Sequence, residues 1–222
     1  MSYAVKEAYP TLQGEGARSG RAAVLLRFAG CNLWSGREAD RLSAICRFCD
    51  TDFVGLDGPG GGRFETAGAL ARHVADVWRA AMGASDHPAA TPYLVCTGGE
   101  PLLQLDPPLV AALKRAGFEI AVETNGTIAA PGGVDWLCVS PKGAAALALQ
   151  GGDELKLVYP QAEPEAQPER FAELAFQHFF LQPLDEGDPA RNAAHAAAAA
   201  RYCQAHPQWR LSLQTHKILG LR

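Results

Sequence analysis

The sequence lacks long hydrophobic runs and carries little excess of either charge. Its longest apolar stretches, such as Ala22–Phe28, are far shorter than the ~20 residues that cross a bilayer as a helix. Lys and Arg number 20, Asp and Glu number 24, and no segment is strongly basic, so contact with a nucleic-acid backbone is not indicated. The first twenty residues carry charges and contain no apolar signal core. We therefore expect a cytoplasmic protein that binds neither nucleic acid nor a membrane.

Cysteine is also sparse for a disulfide-stabilised protein, with six residues in a chain of 222. In a chain of this size without a signal segment, cysteines bind metal or are buried more often than they form disulfides. Hydrophobic residues make up 48% and charged residues 20%, an ordinary balance for a globular protein. We expect one domain over residues 1–222, because single α/β domains commonly reach this length.

Strand and helix patterns alternate along the chain. Strands are predicted at Ala22–Phe28, 93–97, Glu119–Thr124, 136–140, 154–159 and 178–182, with a last short apolar piece at 211–214. Helices are predicted at 66–82, 107–116, 168–175 and Pro189–Ala205, and the glycine-rich stretch 55–62 is predicted to be a surface loop. Apolar strands that alternate with helices indicate a parallel sheet covered by helices. About six βα units fall short of a closed eight-unit barrel, so we expect an open partial (β/α)6 barrel, with a doubly wound sheet as the alternative.

Three cysteines are grouped after the first of these strands. Cys31 follows Ala22–Phe28, and Cys46 and Cys49 come after fourteen and then two intervening residues. The short turn of a Cys-x2-Cys pair brings both sulfurs to one side, where they can bind one metal or one cluster. The third thiolate has to return across the loop 32–45.

The spacing alone leaves several roles open. A structural zinc site needs four ligands, and the closest histidine to this segment is His73. A thioredoxin-like redox pair would leave Cys31 unused. Three thiolates without a fourth ligand suit an iron–sulfur cluster with one open iron. The other cysteines, Cys96, Cys138 and Cys203, lie in apolar strands or a helix and are interpreted as buried structural thiols.

Further motifs accompany the cysteines. They are Gln13-Gly14-Glu15-Gly16, Cys49-Asp50-Thr51, Thr97-Gly98-Gly99-Glu100-Pro101, Glu123-Thr124-Asn125-Gly126, Ser140-Pro141-Lys142, Gln182-Pro183 and Gln214-Thr215-His216-Lys217. With this set the chain resembles the radical S-adenosylmethionine superfamily and, within it, the 7-carboxy-7-deazaguanine synthase family. One departure is the fourteen-residue gap after Cys31, where the superfamily usually has three residues; some synthases resemble this chain in that expanded loop.

The resemblance implies three cofactors. A 4Fe–4S cluster would be held by Cys31, Cys46 and Cys49, in a cluster-binding loop after the first predicted strand. Contacts to S-adenosylmethionine would come from Phe48, Cys49, Asp50, Gly99, Glu100, Ser140, Pro141, Lys142, Gln182, Pro183, Leu184 and Asp185. Thr51 would bind Mg²⁺, for which a hydroxyl is a suitable hard ligand. Taken alone, Thr51 reads as a cap or turn residue.

The substrate implied by the resemblance is 6-carboxy-5,6,7,8-tetrahydropterin. Its contacts would be Leu12, Gln13, Gly14, Glu15, Arg27, Thr97, Glu123, His216 and Arg222. Arg27 could hold the carboxylate through two parallel hydrogen bonds. Glu123 ends an apolar strand and should have a partner, either the guanidine-like edge of a ligand or a structural ion pair. His216 would otherwise be a surface histidine.

The implied reaction is a radical ring contraction that yields 7-carboxy-7-deazaguanine and releases ammonia. No protein side chain is assigned as catalytic, because the radical derived from S-adenosylmethionine carries the chemistry. The family further implies a homodimer and an electron donor such as flavodoxin. Two rivals are a radical activase acting on a partner protein and a non-catalytic iron–sulfur or zinc protein. The motif Gln13–Gly16 argues against both, since neither needs it.

Overall fold

A computed structural model of the chain describes residues 2–82 and 91–221. Within these ranges the strands are β1 (Tyr3–Leu12), β2 (Ala22–Phe28), β3 (Gly62–Phe64), β4 (Tyr93–Gly98), β5 (Glu119–Thr124), β6 (Trp136–Val139), β7 (Gly151–Tyr159), β8 (Ala175–Pro183) and β9 (Trp209–Leu211). The α-helices are α1 (Ala67–Met82), α2 (Pro107–Arg115), α3 (Pro189–Ala205) and α4 (Thr215–Leu219). No helix in the described ranges is both long and apolar enough to cross a membrane.

The strands form one sheet in the order β3-β1-β2-β4-β5-β6-β7-β8-β9. From β2 onward neighbouring strands are parallel, whereas β1 is antiparallel to both β2 and β3. A mostly parallel α/β sheet is therefore confirmed. The parallel strands follow one another in chain order, so the doubly wound alternative, which needs a reversal of strand order, is wrong.

The fold differs from the prediction in several places, and β3 and α4 are among the elements that were not predicted. The strand β1 was not predicted, because its charged residues Lys6 and Glu7 break the apolar pattern; both are buried in ion pairs. The predicted helix 168–175 is wrong. Two short 3-10 turns, Pro164–Ala166 and Pro168–Arg170, occupy this region. Each turn begins with a proline, and β8 starts at Ala175, which leaves no room for an α-helix.

One face of the sheet carries most of the apolar core. Leu70 and Val74 of α1 are fully buried against the sheet, where they form the apolar face of this amphipathic helix. The helix α2 packs beside α1, and α3 covers a second cluster over β7 to β9. The opposite face carries a small apolar cluster around Tyr93 and Val95, and beside it polar side chains such as Arg27, Glu123 and Lys156 line a cavity.

The glycine-rich loop lies against β1. Gly58 donates its N–H to the carbonyl of Lys6 at 3.0 Å, and Ala8 donates to the carbonyl of Pro59 at 2.8 Å. A Cβ on Gly58 would lie 2.7 Å from the Lys6 carbonyl oxygen, so glycine is what lets this loop approach the strand. The loop prediction holds up to Gly61, and Gly62 begins β3.

Candidate active site

A cavity of about 640 Å³ lies where the parallel strands end. This is the edge at which parallel α/β folds bind their ligands. Twenty of the predicted site residues line it: Leu12, Gln13, Gly14, Glu15, Arg27, Cys46, Phe48, Cys49, Asp50, Thr51, Thr97, Gly99, Glu123, Ser140, Lys142, Gln182, Pro183, Leu184, Asp185 and His216. Glu100 and Pro141 are buried nearby without lining it, Cys31 borders a smaller neighbouring pocket, and Arg222 lies outside the described residues.

Cys46 and Cys49 line the cavity, and Cys31 borders the smaller pocket beside it. Hydrogen bonding from Cys46 lowers the pKa of Cys49 to about 6 against the effect of burial, whereas burial raises the pKa of Cys31. Over residues 2–82 and 91–221 no three His, Cys, Asp or Glu side chains are close enough to hold a single metal ion. A 4Fe–4S cluster is larger than one ion and takes thiolate ligands around it. Three thiols, one of them biased towards thiolate, fit such a cluster by donor type.

The backbone at the end of β4 packs tightly against the loop that carries Cys31. Gly98 has a φ of +150°, and a Cβ there would lie 2.8 Å from the Phe28 nitrogen. A Cβ on Gly99 would lie 2.6 Å from the Gly30 carbonyl carbon and 2.7 Å from Cys31 Cβ. The two glycines therefore bring the end of β4 next to the first cysteine.

Glu100 connects the ends of β4 and β5. It is completely buried and accepts hydrogen bonds from the Leu102 N–H at 2.9 Å, the Thr124 hydroxyl at 2.7 Å and the Asn125 N–H at 2.8 Å. Burial raises the pKa of Glu100, although the three donors act in the opposite direction. The carboxylate thus fixes the two strand ends beside the cavity.

Two lysines stand near the residues expected to contact S-adenosylmethionine. Lys142 donates to the Ser140 hydroxyl at 2.5 Å. Lys217 of α4 contacts Asp50 at 2.8 Å and Asp185 at 2.6 Å, and so joins the segment after Cys49 to the loop after β8. Lys217 was part of a quoted motif but not a predicted site residue.

The main residue that sequence reasoning missed is Lys156. Its ammonium is almost fully buried, with 4% of the side chain exposed, and forms ion pairs with Glu15 and with Glu123, the latter at 3.2 Å. Gln13 donates to Glu123 at 2.9 Å, and Gln214 donates to Glu15 at 2.9 Å. The expected partner of Glu123 is therefore an internal ion pair. A lysine between two leucines of a buried strand was the signal that could have revealed it.

Arg27 is also held by protein partners. Its Nε donates to Glu7 at 2.7 Å, and burial lowers the pKa of Arg27 less than the contact with Glu7 and its other partners raise it. On the same strand as Glu7, Lys6 contacts Asp52 at 2.9 Å and Asp57 at 2.8 Å. These pairs fix the wall of the cavity beside Thr51.

The helix α4 anchors the N-terminal motif. Thr215 donates its N–H at 2.9 Å and its hydroxyl at 2.8 Å to the Gly14 carbonyl. Gly14 lies so close to the His216 ring that a Cβ would lie 2.8 Å from His216 Cγ. Gly16 donates to the Ser212 hydroxyl at 2.9 Å. His216 is thereby held over the predicted substrate residues and not left at the surface.

Comparison with known proteins agrees with this arrangement. No family model matches the chain. It is 60% identical over 221 residues to the 7-carboxy-7-deazaguanine synthase of Bordetella pertussis and 61% identical over 222 residues to that of Bradyrhizobium diazoefficiens, with 100% of each chain covered. The crystal structure of QueE from Escherichia coli matches with a TM-score of 0.69 at 26% identity, over 97% of this chain and 95% of that one. The chain belongs to the 7-carboxy-7-deazaguanine synthase family of radical S-adenosylmethionine lyases.

Proposed function

We propose that this chain converts 6-carboxy-5,6,7,8-tetrahydropterin to 7-carboxy-7-deazaguanine with loss of ammonia, a step of queuosine and 7-deazapurine biosynthesis. The observation that supports this most directly is that one cavity is lined both by Cys46 and Cys49 and by the ion-paired Glu15 and Glu123. The thiols that would hold the cluster and the carboxylates that would bind the amine-bearing ring of the substrate therefore line the same cavity.

The cofactor site is proposed from the residues at the thiol end of the cavity. Cys31, Cys46 and Cys49 would hold the 4Fe–4S cluster, and the predicted contacts from Phe48 to Asp185 would hold S-adenosylmethionine. When bound, these groups supply the radical that removes hydrogen from the substrate. The protein positions the reacting molecules and excludes water from them.

The substrate site is proposed at the other end. Glu15 and Glu123 are acceptors paired with Lys156, and such acceptors suit the donor edge of an aminopyrimidinone. Arg27 lies on the same wall and can pair with the substrate carboxylate. Leu12, Gly14, Thr97 and His216 would complete the surroundings, and the terminal residue Arg222 remains part of the proposal.

Mg²⁺ is proposed at Thr51. This residue lines the cavity between Asp50 and Asp52, and a hydroxyl suits a hard ion that keeps several waters and shares substrate oxygens. In the Thr51→Ala variant, the activity should no longer respond to added Mg²⁺. An unchanged response would remove Thr51 from this role.

The curvature of the sheet, the cellular location and the protein partners are also proposals. We propose that the sheet curves into an open partial (β/α)6 barrel with the cluster-binding loop after β2, in a single domain over 1–222. The consecutive order of the parallel strands and the polar side chains that line the cavity support the open barrel. We further propose a cytoplasmic homodimer that receives electrons from a donor such as flavodoxin and acts on the free pterin, without nucleic acid or membrane.

The decisive experiment reconstitutes the cluster anaerobically and supplies S-adenosylmethionine, dithionite, Mg²⁺ and the carboxylated tetrahydropterin. We expect 7-carboxy-7-deazaguanine by mass spectrometry, with release of ammonia. Absence of the deazapurine in a protein with a full cluster would contradict the substrate assignment. Vigorous cleavage of S-adenosylmethionine without any pterin would instead favour a radical activase.

A further inference from the structure

The fourteen residues between Cys31 and Cys46 fold into a compact structure of their own. The short 3-10 helix Glu38–Ser43 forms its centre. The N–H groups of Ile45 and Cys46 donate to the Leu33 carbonyl at 3.2 and 3.4 Å, which closes the insertion into a loop. The proposed reaction assigns no task to this segment.

Arg41 is the hub of the insertion. Its guanidinium lies 4.1 Å from the centre of the Trp34 ring. Its Nη1 donates to the carbonyls of Arg47 at 2.9 Å and Cys49 at 3.1 Å. One side chain therefore links the start of the insertion to the segment that contains the second and third cysteines.

Trp34, over which the Arg41 guanidinium lies, is itself packed against Phe53. Its ring meets Phe53 edge-on, with 5.6 Å between ring centres and an interplanar angle of 87°. Phe53 is 1% exposed, and the Trp34 indole N–H donates to the Arg37 carbonyl at 3.1 Å. The guanidinium thus rests on a ring that is packed into the body of the protein.

A surface ion pair alone would not make Arg41 important. Glu38 pairs with Arg41 at 2.8 Å, but 77% of the Glu38 side chain is exposed, and such pairs contribute little. The contacts that distinguish Arg41 are the ring and the two carbonyls. The planar guanidinium lies over the ring while its Nη1 donates to both carbonyls, and a lysine ammonium has no planar group that could stack in this way.

We propose that Arg41 is a positioning residue that holds the Cys46–Cys49 segment ready for the cluster before iron is bound. This rests on the proposed function only in that the cysteines are taken as cluster ligands. The expanded loop then has a role. It supplies a brace, by which we mean the contacts of Arg41 with the Trp34 ring and with the Arg47 and Cys49 carbonyls. A spacing of three residues has no room for such a side chain.

The test compares Arg41→Ala and Arg41→Lys with two matched controls. Glu38→Ala removes the exposed ion pair but keeps the brace. Arg47→Ala removes an arginine of the adjoining Cys46–Cys49 segment whose guanidine makes one local bond, to the Ala44 carbonyl at 3.3 Å. Hydrogen exchange of residues 32–50 in iron-free protein reports preorganisation. The rate of iron loss to a chelator, and the electron paramagnetic resonance spectrum of the reduced protein, report the cluster.

For both Arg41 variants we expect exchange in 46–50 and iron loss to be about tenfold faster, as the loss of two charge-assisted hydrogen bonds implies. The controls should stay within about twofold of the wild type. Arg41 variants that behave like Glu38→Ala would overturn the proposal. If Arg41→Ala lowers the melting temperature of the whole protein, the test rests on Arg41→Lys, because this variant keeps the positive charge and loses the planar guanidinium. A wild type that takes up no iron would contradict the proposed function, while the exchange comparison would still test the brace.

Discussion

The ammonium of Lys156 lies 3.2 Å from the carboxylate of Glu123, at a depth where 4% of the lysine side chain is exposed. Because the same ammonium also pairs with Glu15, a single buried cation is the shared counter-charge of two carboxylates from different parts of the chain. Buried carboxylates without such a partner would be protonated or would destabilise the fold. Lys156 is thus what allows two anionic acceptors to face the cavity together.

Replacing Lys156 should damage both stability and ligand binding. In Lys156→Met two partly buried carboxylates lose their shared counter-charge, so we expect the free energy of unfolding to fall by about 3 kcal/mol, the lower end of the range for a broken buried ion pair. Pterin affinity should fall by more than tenfold. Urea unfolding and calorimetric titration of iron-free protein measure the two effects.

Lys114→Met is the matched control, since Lys114 pairs with Asp135 at the surface and both side chains are 35% exposed. That variant should change the free energy of unfolding by less than about 1 kcal/mol and leave pterin affinity unchanged. Lys156→Arg, which keeps the charge, should retain more affinity than Lys156→Met. Equal behaviour of Lys156→Met and Lys114→Met would show that the buried network does not matter.

The ion pairs also predict a pH profile. Burial raises the pKa of Glu15. The charge and hydrogen bond of Lys156, with the hydrogen bond from Gln214, outweigh burial and lower the pKa to about 2. Its contribution is therefore present above its ordinary pKa of 4.5 and lost as the pH falls through about 2. Burial lowers the pKa of Lys156, but Cys138 and the carboxylates of Glu123, Glu15 and Glu154 together raise it well above 10.5, so its contribution is lost only as the pH rises through that higher value.

Pterin affinity of the wild type should consequently be level between about pH 5 and 9 as far as these groups are concerned. In Lys156→Gln, burial is no longer opposed by the cation, the pKa of Glu15 rises, and affinity should decline towards the acid end of that range. Calorimetry at a series of pH values distinguishes the two profiles. A level profile in the variant would speak against Lys156 as the residue that keeps Glu15 ionised.

The sequence predicted the parallel strands because their apolar runs are continuous and bounded by turns. Ala22–Phe28 and Glu119–Thr124 are confirmed to the residue. It missed β1 because a strand whose charges are buried in ion pairs looks polar, and the partners of Lys6 lie about fifty residues away. The sequence wrongly predicted a helix at 168–175, because composition does not reveal that the 3-10 turn Pro168–Arg170 is followed within a few residues by β8.

The site was predictable as a set of motifs but not as a network. Strand ends bring motifs together, so Cys49, Ser140 and Gln182 could be expected to share an edge, and they line one cavity. Which carboxylate meets which cation depends on side-chain direction across neighbouring strands. The pairing of Lys156 with Glu15 therefore needed the structure.

Gly99 should be intolerant of any side chain. A Cβ there would press on Gly30 and Cys31, so Gly99→Ala has to push the end of β4 away from the first cysteine. We expect iron content after reconstitution to fall to less than about half, with a small loss of stability. Gly132→Ala is the control, because a Cβ on Gly132 meets nothing within 4 Å. If Gly99→Ala binds iron as Gly132→Ala does, the close approach has no role in placing Cys31.

Lys217 should control the affinity for S-adenosylmethionine. Its contacts with Asp50 and Asp185 tie together two segments predicted to touch this cofactor, and they lower the pKa of Asp185 to about 2. In Lys217→Met the two carboxylates repel each other and the segments separate, so we expect the dissociation constant to rise about five- to tenfold. Equilibrium binding to reconstituted protein measures this.

The control for Lys217 is Arg191→Met, which removes a cation of the neighbouring helix α3 that lies 3.8 Å from Glu186 and is 68% exposed. Its affinity should match the wild type, because it loses charge near the same loop without loosening it. A result in which both variants weaken binding equally would indicate a general charge effect. Weakening confined to Lys217→Met, with the wild-type melting temperature retained, would identify the tie between Asp50 and Asp185 as the cause.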